Sequence, residues 1–241
     1  MDLRKIVRGL FERKMVVLLV AIVLLFAVLF NSGMFGGTDS RIHISCVGDS
    51  LTYGSGVLKT REIDSYPAQL QARLGTSYLV SNFGLRNATA STSGDLPYIE
   101  SEQYKESLKS NPDIVILMLG TNDTKTQNWN ASEYRKGLTD LVETYKKLDS
   151  NPKVFLMRSP YCFPIEGNDD AEYNVQASVV NGELGDIIGE VAEETDVSLI
   201  DLHKVTEGKE YLYTDGIHFL AKGYTLIADT VYDSIKNAIE K

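Results

Sequence analysis

The chain has 241 residues, of which 43 % are hydrophobic and 24 % are charged, as expected for a globular protein with one sizeable domain. Its formal net charge is −9; five basic and two acidic residues fall within residues 1–14, which leaves −12 for the rest of the chain. An acidic body of this kind argues against nucleic-acid binding as the main task, because attraction to phosphates requires a basic surface.

The first predicted element is the uncharged apolar run Met15–Phe30, which follows the basic stretch 1–14. The run is slightly short for a membrane-spanning helix and slightly long for the core of a signal peptide, and no Ala-x-Ala cleavage signal follows it. We therefore predict a basic N-terminus and transmembrane signal anchor over residues 1–30, with the rest of the chain outside the cell. A protein secreted after signal cleavage is the alternative. A buried core helix is disfavoured because the run has no polar face.

A linker rich in glycine and small polar residues, 31–40, separates this segment from a predicted catalytic domain over residues 41–241. The third of five short apolar runs in that domain is apolar at every position, which is typical of a strand covered on both faces. The five runs predicted to be strands are Ile42–Val47, Tyr78–Ser81, Ile114–Leu119, Val154–Met157 and Val197–Leu202.

Helical patterns separate these strands. Asn130 is a predicted N-cap, with Glu133 three positions later as its capping partner. Alternating strands and helices indicate an α/β fold with a mostly parallel sheet, whose ligands bind beyond the carboxyl ends of the strands. The predicted helices cover Ser65–Leu74, Ile99–Leu108, a segment from Asn130 to Leu148, one from Val175 to Thr195, and one from Leu220 to Ile239.

Polar residues and a glycine follow the strands at the end where a site is expected. Ser50 follows the first strand, Gly84 the second and Asn122 the third, while Asp215 and His218 lie in the loop after the fifth. A serine hydroxyl is a weak nucleophile that needs a base within hydrogen-bond reach, and the base needs an orienting group. The pattern therefore predicts a nucleophilic serine site.

The chain has three histidines, so the base can be chosen by elimination. His43 lies at the start of the first strand, which is the wrong end of the sheet. His203, with Asp201 close by, lies at the correct end and stays open as the weaker alternative. His218 lies beside Asp215 and is the predicted base.

Acyl transfer also needs hydrogen-bond donors for the oxyanion that develops on the substrate. The side chain of Asn122 and the backbone amides of Ser50 and Gly84 are the predicted donors. Taken alone, Gly84 is equally well explained as a turn residue, and Asn122 as a residue that stabilises a turn. Asp49 is best explained as a structural residue that bonds loop amides, although we also include it among the predicted substrate contacts.

Four blocks in this order resemble those of the SGNH hydrolases, which are also called GDSL esterases and lipases. Each block is weak alone, but together they span about residues 41–241. The resemblance implies a three-layer, flavodoxin-like α/β/α fold. The blocks are Gly48–Leu51, Gly84 within residues 82–90, Gly120–Asp123 and Asp215–His218.

The same resemblance implies a role for each matching residue. Ser50 would be the nucleophile, His218 the base and Asp215 its partner. The oxyanion hole would comprise the N–H groups of Ser50 and Gly84 and the side chain of Asn122. The resemblance implies neither a metal nor a cofactor.

Two stretches, Gly94–Tyr98 and Asn122–Trp129, are similar to carbohydrate-esterase-like members of that family. Trp129 and Tyr213, together with Asp49, are predicted substrate contacts. Aromatic faces in these loops suit a sugar ring or an acyl pocket, although packing within the loops explains them equally well. Tyr161 and Tyr211 lie in loops at the same end of the sheet.

The predicted function is an esterase that removes a small acyl group, acetyl above all, from a small-molecule or glycan ester. A lysophospholipase or thioesterase for longer chains, with the same triad, is the first alternative. An inactive carbohydrate-binding domain is the second.

Only two cysteines are present, Cys46 and Cys162. Both are predicted to be small buried hydrophobic residues, and a disulfide between them stays open.

Overall fold

An entirely apolar strand forms the centre of the sheet, as its sequence predicts. The computed structural model describes residues 14–25 and 39–239, and within the second range five strands form one sheet. The strands are Ile42–Gly48 (β1), Tyr78–Gly84 (β2), Ile114–Met118 (β3), Lys153–Arg158 (β4) and Ser198–Asp201 (β5). All five residues of β3 are buried, so both faces of the sheet are covered.

The strand order is β2-β1-β3-β4-β5, and every neighbouring pair is parallel. This is the order of flavodoxin-like sheets, in which the chain moves outward from β1 in both directions and leaves a crevice at the carboxyl ends. The predicted α/β fold with a five-stranded parallel sheet is confirmed.

Helices connect the strands, and they pack on one another as well as on the sheet. The helices of the 39–239 range are Ser50–Tyr53 (α1), Arg61–Asp64 (α2), Tyr66–Leu74 (α3), Glu102–Lys109 (α4), Ala131–Lys146 (α5), Ala177–Asn181 (α6), Glu183–Glu194 (α7), Leu202–Thr206 (α8) and Ala221–Ile239 (α9). Short 3₁₀ turns cover Ser55–Val57, Tyr98–Glu100, Glu172–Asn174 and Glu210–Leu212. Helix α9 packs against α3, and α5 packs against α7.

Two helix predictions need correction. The helix predicted from Ile99 begins only at Glu102, because Ser101 has an extended backbone and its hydroxyl accepts a hydrogen bond from the N–H of Tyr104 at 3.1 Å. The long helix predicted from Val175 to Thr195 is two helices, α6 and α7, because Gly182 breaks the helical path with φ −126° and ψ −104°.

The prediction of Asn130 as the N-cap of α5 is confirmed. Its side-chain oxygen accepts hydrogen bonds from the N–H groups of Ser132 and Glu133, both at 3.1 Å. The side chain thereby satisfies two of the amides that the first turn of a helix leaves unpaired.

The chain divides into two compact units, Met1–Ser40 and Arg41–Lys241. Residues 14–25 are helical, and their side chains are exposed. No helix in the parts of the chain that the structure describes is long and apolar enough to cross a membrane. The remainder of the predicted anchor, at 1–13 and 26–30, and most of the predicted linker, at 31–38, lie outside the described residues.

Both cysteines are buried and free. Their interpretation as small buried hydrophobic residues is confirmed, and the disulfide that the sequence left open is not formed. Burial raises the pKa of each thiol to about 12, which leaves both unreactive at neutral pH.

Candidate active site

The tight turn after β1 presents the side chain of Ser50. Asp49 caps the short helix α1 by accepting a hydrogen bond from the N–H of Leu51 at 2.9 Å. Gly54, in the left-handed region at φ 96°, ends the helix one turn later. Ser50 is thereby fixed as the first residue of α1, at the carboxyl end of the central strands, and 8 % of its surface stays exposed.

The Ser50 hydroxyl lies at hydrogen-bond distance from the imidazole of His218, and the other side of that ring contacts Asp215. Ser50 Oγ is 2.9 Å from His218 Nε2, and His218 Nδ1 is 2.7 Å from Asp215 Oδ2. A hydroxyl, an imidazole and a carboxylate in this sequence can move a proton off the hydroxyl and stabilise the resulting imidazolium.

A rigid turn holds the carboxylate in place. Asp215 Oδ1 accepts hydrogen bonds from the N–H groups of Ile217 at 3.1 Å and His218 at 2.7 Å, while Gly216 adopts φ 79°. A Cβ at Gly216 would come within 2.5 Å of the Phe163 carbonyl oxygen, so the turn favours glycine for space as well as for conformation. Burial alone would raise the pKa of Asp215, but the hydrogen bonds from His218 and its charge outweigh burial and lower that pKa. The carboxylate therefore stays ionised.

A small open cavity is lined by Ser50 and His218. Six of its nine lining residues have polar or charged side chains, although apolar atoms contribute the larger share of the exposed wall; the only aliphatic side chains among the described residues that line it are those of Val175 and Ile217. The lining residues are Ser50, Arg86, Asn87, Thr121, Asn122, Tyr173, Val175, Ile217 and His218.

Asn122 lies in the wall of this cavity. Its side-chain nitrogen donates to the Ala88 carbonyl at 3.1 Å and is 3.5 Å from Asp49 Oδ2. Both contacts engage the side-chain amide in this structure, and the contact with Asp49 is the longer and weaker of the two. Asn128 fixes the backbone of Asn122 by donating to its carbonyl at 3.0 Å.

The predicted role of Gly84 as an oxyanion donor needs correction. The Gly84 N–H donates to Asn82 Oδ1 at 2.9 Å, and Gly84 does not belong to the cavity lining within 39–239. A Cβ on Gly84 would lie 2.2 Å from the backbone nitrogen of Tyr53, so this glycine permits close packing of β2 against α1. Asn82 reinforces that packing by donating to the Thr52 carbonyl at 2.9 Å.

Asn87, three residues further along, occupies the cavity wall instead. Its backbone has φ 66°, and its N–H makes no hydrogen bond to any residue that the structure describes. Asparagine tolerates the left-handed region better than most residues. A tight turn at Asn87 could therefore have been predicted from the sequence.

Variants at positions 84 and 87 separate these two roles. We expect Gly84→Ala to lower the free energy of unfolding by about 1–3 kcal/mol, because the new methyl group collides with backbone that cannot move cheaply. Asn87→Gly should keep wild-type ester hydrolysis, since glycine adopts positive φ freely. Urea unfolding and initial rates on p-nitrophenyl acetate measure both effects. If Gly84→Ala kept its stability but lost hydrolysis, Gly84 would again be the better candidate for the oxyanion donor.

The predicted substrate contacts do not line the cavity. Asp49 is completely buried and serves as a helix cap, so its prediction as a substrate contact is wrong. Trp129 packs on Tyr134 with ring centroids 5.8 Å apart. Tyr213 is 8 % exposed and donates its hydroxyl hydrogen to the Tyr161 carbonyl at 2.8 Å. Trp129 packs on a residue of α5, and Tyr213 bonds the segment that follows β4, so neither ring lines this cavity.

The structure also separates the alternative histidine from the serine. His203 packs on the ring of Tyr161 at 5.1 Å, and Asp201 caps α8 by accepting from the N–H of Lys204 at 3.2 Å. Among residues 14–25 and 39–239, no three His, Cys, Asp or Glu side chains are grouped so as to hold a metal ion.

Two exposed residues at the cavity mouth, Arg86 and Tyr173, were missed from the sequence. The Tyr173 ring centroid is 5.7 Å from that of His218. Tyr173 belongs to no periodic pattern or recognisable motif, whereas Arg86 lies within the block at residues 82–90 but was not singled out there.

Comparison with known proteins agrees with this geometry. The model of the GDSL-like Lipase/Acylhydrolase family matches residues 46–226. An acetylxylan esterase of Xylanibacter ruminicola is 34 % identical over 217 residues, which cover 82 % of this chain and 44 % of that protein. An N-acylneuraminate cytidylyltransferase of Escherichia coli is 24 % identical over 205 residues, covering 82 % and 41 %. The chain thus spans less than half the length of these curated relatives.

A solved structure shares the fold. It is a carbohydrate acetylesterase from Sinorhizobium meliloti, with 22 % identity and a TM-score of 0.66. The match covers 83 % of this chain and 100 % of that one.

Proposed function

Because this chain belongs to the GDSL-like lipase and acylhydrolase family, we propose that it is a serine esterase that removes small acyl groups, above all acetyl, from carbohydrate. The observation that carries the proposal is the pair of hydrogen bonds from Ser50 Oγ to His218 Nε2 and from His218 Nδ1 to Asp215 Oδ2. The acetylxylan esterase and the carbohydrate acetylesterase among the similar proteins support the choice of substrate.

In this proposal Ser50 Oγ attacks the ester carbonyl carbon while His218 Nε2 accepts the hydroxyl proton. The carbonyl π bond opens and leaves a tetrahedral oxyanion. Asp215 keeps the proton of the neutral ring on Nδ1, so that Nε2 is free to accept, and then stabilises the imidazolium. The lowered pKa of Asp215 supports this role, because the partner of the base has to remain a carboxylate.

Three donors are available to the oxyanion: the N–H groups of Ser50 and Asn87 and the side chain of Asn122. Asn87 replaces Gly84 in this set because its amide is unbonded and lies at the cavity wall. Donors that are fixed before the reaction stabilise the developing charge without reorganising, which is a large part of the rate enhancement in acyl transfer.

Collapse of the tetrahedral intermediate breaks the bond to the alcohol oxygen, which takes the proton from His218 Nε2 and leaves as the deacylated sugar. A water molecule then gives a proton to His218 and attacks the acyl-serine. The second intermediate releases the carboxylic acid and returns the proton to Ser50 Oγ. Acid and sugar are the net products of ester and water.

The walls of the cavity favour a short acyl group. Val175 and Ile217 offer apolar contact for a methyl group, whereas the other lining side chains are polar or aromatic. A long acyl chain would find only two aliphatic side chains to pack against in the described part of the wall, so few of its methylene groups would gain the roughly 0.8 kcal/mol that burial of each one provides.

A panel of esters tests the proposed function. We expect kcat/KM for p-nitrophenyl acetate to exceed that for p-nitrophenyl octanoate by about tenfold or more, and acetylated xylan to release acetate. Preference for octanoate or palmitate would favour the lysophospholipase or thioesterase alternative. Binding of acetylated xylan without hydrolysis of any ester would instead indicate a carbohydrate-binding domain.

The proposal also places the catalytic domain outside the cell, held by the predicted signal anchor. The apolar run Met15–Phe30 and the basic residues before it support this part. Membrane fractionation of cells that express the full chain, followed by protease treatment of intact cells, tests it; a protease-resistant or unanchored catalytic domain would contradict the membrane-bound form.

A further inference from the structure

A tyrosine at the mouth of the cavity has an unfavourable backbone conformation. Tyr173 and its neighbour Asn174 both have φ 62°. A left-handed conformation is tolerable for asparagine but uncommon for a bulky aromatic residue. Residues held in sparsely populated regions destabilise the fold, and they persist only where surrounding structure fixes them.

Hydrogen bonds made by the residues that follow Tyr173 fix this turn to the segment that carries Asn122. The Asn174 carbonyl accepts from the N–H of Thr126 at 3.2 Å. Gln176 donates twice to the Thr124 carbonyl, from its backbone N–H at 3.3 Å and from its side chain at 2.8 Å. The ring of Tyr173 is therefore attached to the same short segment as one of the proposed oxyanion donors.

The position of the ring is open to a ligand. Tyr173 is 58 % exposed, lines the cavity beside Ser50, and meets His218 edge-on with an interplanar angle of 68°. A tyrosine that only filled space in a loop would not need an exposed ring, and glycine or asparagine would accept its backbone conformation at lower cost.

The chemistry of the proposed reaction places the leaving sugar near this ring. The alcohol oxygen has to lie close to His218 Nε2 in order to receive its proton, so the carbon skeleton attached to that oxygen extends past His218 toward the open mouth. Tyr173 borders His218 there. Aromatic rings offer an apolar face with little conformational entropy to lose, which suits the C–H face of a pyranose.

We infer that Tyr173 binds the sugar ring of the leaving alcohol and thereby gives the enzyme its preference for acetyl esters of cyclic carbohydrates over simple acetates. This inference rests on the proposed function and adds to it a residue that sets substrate specificity.

The test uses the full chain with the variants Tyr173→Ala, Tyr173→Leu and Tyr173→Phe, assayed on acetylated xylo-oligosaccharides and on ethyl acetate. We expect Tyr173→Ala and Tyr173→Leu to raise KM for the oligosaccharides about 5- to 10-fold with little change in kcat, because a lost stacking contact weakens binding by a corresponding factor. Tyr173→Phe should retain wild-type KM. For Tyr173→Ala and Tyr173→Leu, kcat/KM for ethyl acetate should fall by a smaller factor than kcat/KM for the oligosaccharides. Thermal unfolding midpoints near that of the wild type would show that all three variants are folded.

Tyr211→Ala is the matched control, because Tyr211 is 72 % exposed at the same end of the sheet and does not line the described cavity. An unchanged KM for the oligosaccharides in Tyr173→Ala and Tyr173→Leu would overturn the inference. Equal losses on both substrates in the two variants would also overturn it, since Tyr173 would then support the machinery and not the sugar. Failure of the wild type to hydrolyse either ester would overturn the proposed function itself.

Discussion

The Ser50→Ala variant is expected to fold and to lose ester hydrolysis, with kcat reduced about 10⁴- to 10⁶-fold. Without the hydroxyl oxygen no acyl-enzyme forms, and His218 Nε2 has no nucleophile to deprotonate. The fold should survive because the Asp49 side chain and the Gly54 N–H hold the two ends of α1 through hydrogen bonds that do not involve the Ser50 side chain. Initial rates on p-nitrophenyl acetate and a thermal unfolding midpoint measure the two parts of the prediction.

Ser55→Ala is a suitable control for this experiment. Ser55 lies one turn further along, and its buried hydroxyl has no hydrogen-bond partner within the described residues. A fluorophosphonate probe should label the wild type and Ser55→Ala but not Ser50→Ala. Undiminished turnover, or undiminished labelling, in Ser50→Ala would refute the assignment of the nucleophile.

The Asp215→Asn variant is expected to lose about 10⁴-fold in kcat while keeping its structure. The amide oxygen can still accept from the N–H groups of Ile217 and His218, so the turn should form. The amide NH₂ would then face His218 Nδ1 and place the ring proton on Nε2. In that tautomer the imidazole can only donate to Ser50, so it no longer acts as a base.

The matched control is Asp201→Asn, which alters the carboxylate nearest the alternative histidine, His203, and which we expect to leave kcat near wild type. A loss in Asp201→Asn, combined with less than a tenfold loss in Asp215→Asn, would transfer the role of base to His203. Unfolding midpoints of both variants separate an effect on catalysis from a loss of the fold.

Much of the fold could be predicted from the sequence because its signals are local. The apolar run at Ile114 and the helical spacing after Asn130 depend on burial that repeats along the chain, and the rule that parallel strands end at one edge placed Ser50 and His218 together. The family resemblance, taken from four short blocks, is also confirmed.

The predictions that were wrong, or that could not be made, concern residues whose conformation or environment the apolar spacing does not report. Gly182 breaks a helix whose apolar spacing continues on both sides of it. The donor role was assigned to Gly84 because glycine permits close approach, but that space is used by the backbone of Tyr53. Asn174 and Gln176, which follow Tyr173, are held by hydrogen bonds to residues 124–126, about fifty positions earlier, and a single sequence carries no trace of such pairings.

The His218–Asp215 pair is built within one four-residue turn, whereas Ser50 lies 168 positions earlier in the chain. The hydrogen bond between His218 and Asp215, which is half of the proton pathway, therefore forms locally as soon as this turn forms. The other half is the hydrogen bond between Ser50 and His218, which joins the end of the first strand to the loop before the last helix. The position of the loop that carries Asp215 and His218 relative to the sheet therefore sets the distance from His218 to Ser50. A shift of this loop would slow the reaction even if the His218–Asp215 pair stayed intact.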